Sequence, residues 1–325
     1  MRKFLSALLV IVFLLSSVNL TKVDAFTTKP KVTDEQMLIF STLAYVNFQE
    51  KQKYQNISKI KSASNVKSSK RYKELKSLLG SEKKVNNLFK KVDSWRLIQY
   101  INDSEGWTKF GAAVFENTKT KTVVVAYRGS DSAGDWVKEN FKLVTEVDNL
   151  NNSSNQRRFA ELVAAQVLFS RPNSDVYFTG HSLGGFLAQY ITYEVKERIL
   201  HTKMEIPKLF YTDKKHKKKL KEFEKQNKEN KKKLSKLAYQ KRVGGLVTFN
   251  APGVIKTTKN WNKQKEKYKL AKNYVISGDA PGEFNYSLGK GKYGKTYLKN
   301  KKKITQEHGV IHFYKYTNLT NIKKL

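Results

Sequence analysis

One short run constrains this chain more than any other. Gly180-His181-Ser182-Leu183-Gly184-Gly185 stands between Asp175-Val176-Tyr177-Phe178-Thr179, which reads as a strand, and Phe186-Leu187-Ala188-Gln189-Tyr190, which reads as a helix. Where a strand turns straight into a helix the two pass very close, so the residues two before and two after the central serine must be tiny. The serine sits at strained backbone angles with its hydroxyl exposed. The helix N-terminus points free N–H groups and the positive end of its dipole at the same spot. G-x-S-x-G in this strand–turn–helix setting predicts a nucleophilic Ser182.

A serine hydroxyl alone is a poor nucleophile. It needs a histidine base, and the base needs a carboxylate to orient it. Folds built on this elbow order the three as serine, acid, histidine. Of the five histidines, His181 belongs to the elbow, and His201 and His216 precede any candidate acid. His308 and His312 remain. Asp279 is the candidate acid, in the turn Gly278-Asp279-Ala280-Pro281-Gly282 after a strand-like Asn273 to Ser277, with Glu283 as alternative. Acyl transfer also needs two fixed donors for the developing oxyanion. One is the backbone N–H of Leu183; the other should follow an early strand, and Ser130 lies just past Thr122 to Tyr127. Arg128 is expected to anchor that loop. This chemistry requires no metal and no cofactor.

The rest of the chain supplies an alternating frame. Thr33-Asp34-Glu35-Gln36 reads as a capped helix start, and Met37, Leu38, Ser41, Tyr45 and Phe48 follow near helical spacing. Residues 34–91 read as helices joined by loops. Trp95 to Ile101, Phe110 to Phe115 and Thr122 to Tyr127 are rich in aromatic and β-branched residues, as strands are. Phe159 to Phe169 and Leu183 to Leu200 look helical. Gly245 to Phe249, Lys272 to Ser277 and Ile311 to Tyr316 look like strands. Strands alternating with helices imply an α/β fold with a mostly parallel central sheet flanked by helices.

Four stretches resemble the class 3 (fungal-type) lipase family of the α/β-hydrolases. Gly180 to Gly185 is similar to its G-H-S-L-G-G, and Tyr127-Arg128-Gly129-Ser130 to its F-R-G-[ST]. Asn273 to Pro281 resembles the strand and loop bearing its acid, and His308 to Tyr314 its H-x-x-x-E-Y-W ending. The resemblance implies Ser182 as nucleophile, Asp279 as acid, His308 as base, and Ser130 in the oxyanion hole. It leaves His312 as a strand histidine. It also implies that Trp136, Val137, Phe141 and Val144 line a lid within Ser132 to Val147; a core-facing helix would show the same spacing. The implied activity is carboxylester hydrolysis on lipid, of triacylglycerol lipase or phospholipase A type. Departures exist. Relatives often carry H-x-G-F before the nucleophile strand, where this chain has Gln156-Arg157-Arg158-Phe159.

Composition bounds the partners. There are no cysteines, which excludes disulfides and thiolate chemistry. The net charge is +35, carried by 63 Lys and Arg against 28 Asp and Glu. Residues 199–242 hold sixteen of those bases against five acids, and Leu220, Phe223, Leu234 and Leu237 fall at helical intervals. This reads as an inserted basic helical arm at about 200–242. It suits a solvated surface element or docking on an anionic membrane or cell wall; no nucleic-acid motif accompanies it. Arg2 and Lys3, the apolar run Phe4 to Val18, and Val23-Asp24-Ala25 read as a signal peptide cut after Ala25, hence secretion. Residues 26–94 would then form an N-terminal helical region and 95–325 the hydrolase-like domain with its insert. The competing reading is a non-catalytic protein of the same fold that binds an anionic surface.

Overall fold

The computed structural model describes residues 31–102, 110–130, 155–197, 241–256, 258–268, 271–289, 291–299 and 308–316. The proposed signal peptide, the lid segment and the basic arm before residue 241 lie outside them.

Helix α1 (Asp34–Leu43) begins where the sequence signals it. The Thr33 hydroxyl accepts the Gln36 N–H, and the Gln36 side chain accepts the Thr33 N–H, a reciprocal cap. The helix stops at Leu43, so Tyr45 and Phe48 are not on its face; both are buried in the segment beyond it. Short helices α2 (Ile57–Ile60), α3 (Ser64–Ser68), α4 (Lys70–Leu79) and α5 (Glu82–Phe89) follow.

The sheet then begins. Strands β1 (Arg96–Asn102), β2 (Gly111–Asn117) and β3 (Thr122–Tyr127) form an antiparallel meander. Helix α6 (Asn155–Ser170) leads to β4 (Asp175–His181), α7 (Leu183–Glu197) to β5 (Val243–Phe249), α8 (Thr258–Gln264) to β6 (Lys272–Ile276), and α9 (Ala280–Glu283) to β7 (Thr296–Leu298). From β3 to β7 every neighbour pair is parallel, and the spatial order follows the chain order β1 to β7. This is the mostly parallel, helix-flanked sheet expected of an α/β-hydrolase.

That order has a consequence. Parallel strands added one after another, with crossovers of one hand, put every connecting helix on the same face. The core shows it: Val123, Val125, Val176, Phe178 and Leu246 point to the face packed by α6 and α7. Their alternates, Val124, Ala126, Tyr177, Val247 and Phe249, point the other way. A strand apolar on both faces needs a second cover. Helix α1 supplies it, with Met37, Leu38, Ile39 and Phe40 fully buried against that face. Phe40 packs edge-on to Trp95 and stacked on Phe115, with ring centroids 4.9 and 4.7 Å apart. Ser41 reaches into the sheet to bond the Thr179 hydroxyl at 2.8 Å. The change of composition at Trp95 is therefore a change of secondary structure within one continuous core.

One expectation fails. Ile311 to Tyr316 is not a strand: Val310–Lys315 form a 3-10 helix. The buried residues are Val310, Ile311, Phe313 and Tyr314, a helical rather than alternating spacing, which the β-branched and aromatic composition masked. His312 consequently lies on a helical turn, half-buried, with Lys315 Nζ 3.0 Å from its Nδ1. The short β7 and helix α8 were not foreseen; three residues carry too little pattern to be read.

If α1 is part of the core, Phe40→Ala should destabilise the protein by about 3–5 kcal/mol in a denaturant titration. A change below about 1 kcal/mol would make the helix peripheral.

Candidate active site

The elbow is built by close contacts. Ser182 follows β4 directly with φ +55°, a left-handed conformation that costs a non-glycine residue energy and must be imposed by its surroundings. Its N–H donates to the Phe249 carbonyl at 2.9 Å, tying the turn to β5. A side chain on Gly184 would overlap the Tyr127 carbonyl, and one on Gly180 would overlap the backbone of Gly184. These two glycines let β3, β4 and the first turn of α7 meet.

Asp279 comes from the turn after β6, and His308 from the turn just before the C-terminal 3-10 helix. The three side chains form one line. Ser182 Oγ lies 2.7 Å from His308 Nε2, and His308 Nδ1 lies 2.7 Å from Asp279 Oδ1. With a carboxylate accepting at Nδ1–H, the Nε2 lone pair faces the serine hydroxyl, which donates to it. The second oxygen, Asp279 Oδ2, accepts the Gly282 N–H at 2.7 Å. Ser182 and Asp279 are buried, while the His308 side chain keeps about a fifth of its surface exposed (21%). Glu283, the alternative acid, instead accepts the Gly278 N–H at 2.9 Å.

Leu183 is the first residue of α7, so its N–H has no acceptor within the helix. The segment Arg128 to Ser130 leaves β3 beside it. A Cβ on Gly129 would come 3.2 Å from Ser182 Cβ and 2.6 Å from Tyr45 Oη. Arg128 anchors this segment, through its N–H to the Gly111 carbonyl at 2.9 Å and its guanidinium to Asn102 Oδ1. The structure thus places Ser130 on the segment beside Ser182. Arg157, in the stretch Gln156-Arg157-Arg158-Phe159, is buried, with its guanidinium 5.5 Å from the ring centroids of both Phe186 and Tyr190.

Three residues of this site were not singled out from sequence. His181 is fully buried, with Nδ1 2.8 Å from Tyr45 Oη and Nε2 2.5 Å from the His308 carbonyl oxygen. Burial first, and then the neighbouring His308, hold its pKa well below the usual histidine value, so it is neutral. Asn250, at φ +44° just beyond β5, donates to the same carbonyl at 3.2 Å and accepts the Ile276 N–H at 2.9 Å. An asparagine directly after a strand-like run is a recognisable turn signal; the partner of Tyr45 is not. Among the described residues no group of three or more His, Cys, Asp or Glu could hold a metal, and no helix is long and apolar enough to cross a membrane.

Residues 62–195, a stretch shorter than half the chain, match a family model described as a Tle-like phospholipase domain. It spans the elbow and Ser130 and stops before the acid and the base. Among solved structures the chain is similar to M37 lipase, at 12% identity over 76% of this chain and 69% of that one, with a TM-score of 0.42. It is similar to a mutant form of MDLA from Penicillium cyclopium, at 10% identity over 83% and 80%, TM-score 0.44. A third is Lip2 lipase from Yarrowia lipolytica, at 12% identity over 84% and 82%, TM-score 0.42. No curated protein matches the sequence. These overlays are loose, and the fold assignment rests on the topology of the sheet itself.

The close approach at the elbow is testable without an activity assay. Gly184→Ala should cost about 1–3 kcal/mol by overpacking. Gly309→Ala, whose Cβ would meet nothing nearer than 3.4 Å at an ordinary backbone conformation, should stay within about 0.5 kcal/mol. Equal thermal shifts for the two would contradict the packing described.

Proposed function

We propose that this protein is a serine carboxylester hydrolase acting on lipid. The observation that carries the reading is the unbroken line Ser182–His308–Asp279, assembled from the ends of three different elements at the carboxyl edge of the sheet. Such a line serves one chemistry well. His308 Nε2 takes the Ser182 proton as Oγ attacks the ester carbonyl. Asp279 holds the imidazole in the right tautomer through Nδ1 and stabilises its cation. The Leu183 N–H and Ser130 donate to the oxyanion. His308 then passes the proton to the departing alcohol, and a water, deprotonated by the same nitrogen, releases the acyl group. No atom in this cycle calls for a metal or cofactor.

The lipid class is narrower still in this reading. The phospholipase-like match over 62–195 and the +35 net charge both favour substrates with anionic or zwitterionic phosphate headgroups over neutral triglyceride. The hydropathy of the first 25 residues supports release from the cell. The basic arm supports retention at an anionic surface. A purely binding role would leave no reason for a complete triad, with the histidine bonded to both of its partners.

Purified protein lacking residues 1–25 should take a fluorophosphonate label at Ser182 and hydrolyse a short-chain soluble ester. Ser182→Ala should reduce both to background with the fold unchanged. His308→Ala should fall by about 10³-fold or more, while His312→Ala stays within a few-fold of the parent. An unlabelled parent, or turnover surviving in Ser182→Ala, would overturn the reading. Phospholipid vesicles should be hydrolysed faster than emulsified triglyceride; the opposite order would move the substrate class.

A further inference from the structure

His308 has a difficulty. Its imidazole must meet an oxygen on each side at 2.7 Å, yet its backbone belongs to a turn and not to the sheet, so no strand ladder holds it. What holds it is its own carbonyl oxygen, which accepts from His181 Nε2 and from Asn250 Nδ2. Both donors stand on the parallel sheet's carboxyl edge, His181 at the end of β4 and Asn250 just beyond β5.

A carbonyl accepts and cannot donate, so the proton on His181 has to be at Nε2 for this bond to exist. A neutral imidazole carries one proton, which leaves Nδ1 an acceptor, and Nδ1 faces the Tyr45 hydroxyl at 2.8 Å. The His308 carbonyl thus selects the tautomer, and Tyr45 O–H donates to Nδ1, which holds the ring from its other side. Without that donor Nδ1 would lose its hydrogen-bond donor inside the core, and the ring would be held at Nε2 alone. The Tyr45 ring is itself clamped by the Arg71 guanidinium, 4.6 Å from its centroid, and Arg71 is held by Glu74 at 2.8 Å.

Resting on the hydrolase reading above, we infer that Tyr45 and His181 are positioning residues. The Tyr45 hydroxyl anchors the His181 ring through Nδ1, and His181 with Asn250 fixes the backbone of the catalytic histidine. The N-terminal helical region, through Tyr45 and Arg71, is thereby coupled to the reacting atoms it does not touch.

The test is kinetic and spectroscopic. Tyr45→Phe removes one oxygen and keeps the ring under Arg71. On a soluble p-nitrophenyl ester its kcat should fall about 10- to 100-fold with KM unchanged, since a misplacement of ~1 Å costs that much in rate. Its rate of fluorophosphonate labelling should fall in parallel. His181→Leu should fall further, and His181→Gln, whose amide can donate to the same carbonyl, should recover about tenfold of that loss. In the unaltered protein the 15N shifts of His181 should report the Nε2–H tautomer. An Nδ1–H tautomer, a Tyr45→Phe variant with undiminished kcat, or a defect confined to KM would each overturn the inference, the last because it would put the hydroxyl on the substrate. If the parent protein neither takes the label nor turns over ester, the hydrolase reading itself fails. A labelled parent beside an equally labelled Tyr45→Phe removes only the positioning role.

Discussion

The structure depends on how closely one strand and one helix can pass. Gly180 and Gly184 allow the end of β4, the start of α7 and the Tyr127 carbonyl of β3 to meet without side chains between them. Only at that separation can Ser182 be held at φ +55° and presented to groups arriving from the loops beyond β3 and β6 and from the C-terminal segment. The Ser182 N–H bond to the Phe249 carbonyl then ties the strained turn to β5. The strain is local, while the burial and hydrogen bonding that maintain it are spread over three strands.

The second organising constraint is topological. A sheet whose parallel strands are added in order places its connecting helices on one face only. The opposite face, lined by Val124, Ala126, Tyr177 and Phe249, would be left in water. Helix α1 and the C-terminal 3-10 helix cover it together, and Thr42 joins them by its bond to the Tyr314 hydroxyl at 3.0 Å. The same cover delivers two groups to the site. His308 arrives just ahead of the 3-10 helix, and Tyr45 just after α1. Covering the core and assembling the site are in this sense one packing event. It explains why residues that begin and end the described chain meet at its chemical centre.

Much of the frame was readable because its signals are local. The capping pair Thr33 and Gln36, the β-branched runs of β2 to β6, and the glycine spacing around Ser182 each concern neighbours within a few residues. The C-terminal run misled because its composition favours a strand while its apolar spacing favours a helical turn, and the spacing prevailed once α1 offered a surface to bury against. Tyr45 misled in the other direction: it continues the helical spacing of α1 although the helix has already ended, and its position is set by His181, 136 residues away.

The sequence by itself determined that a strand turns sharply into a helix at Ser182, and that an acid and a histidine follow in the order such a site uses. Elbow geometry follows from steric rules among adjacent residues, which a one-dimensional string records. Which histidine reaches the serine, which oxygen it leans on, and what holds its backbone were decided only when the sheet had formed and both of its faces were covered. Those are contacts between residues 29 to 272 positions apart. Their partners are chosen by the direction of the crossovers and the packing of two faces, and no spacing along the chain encodes that.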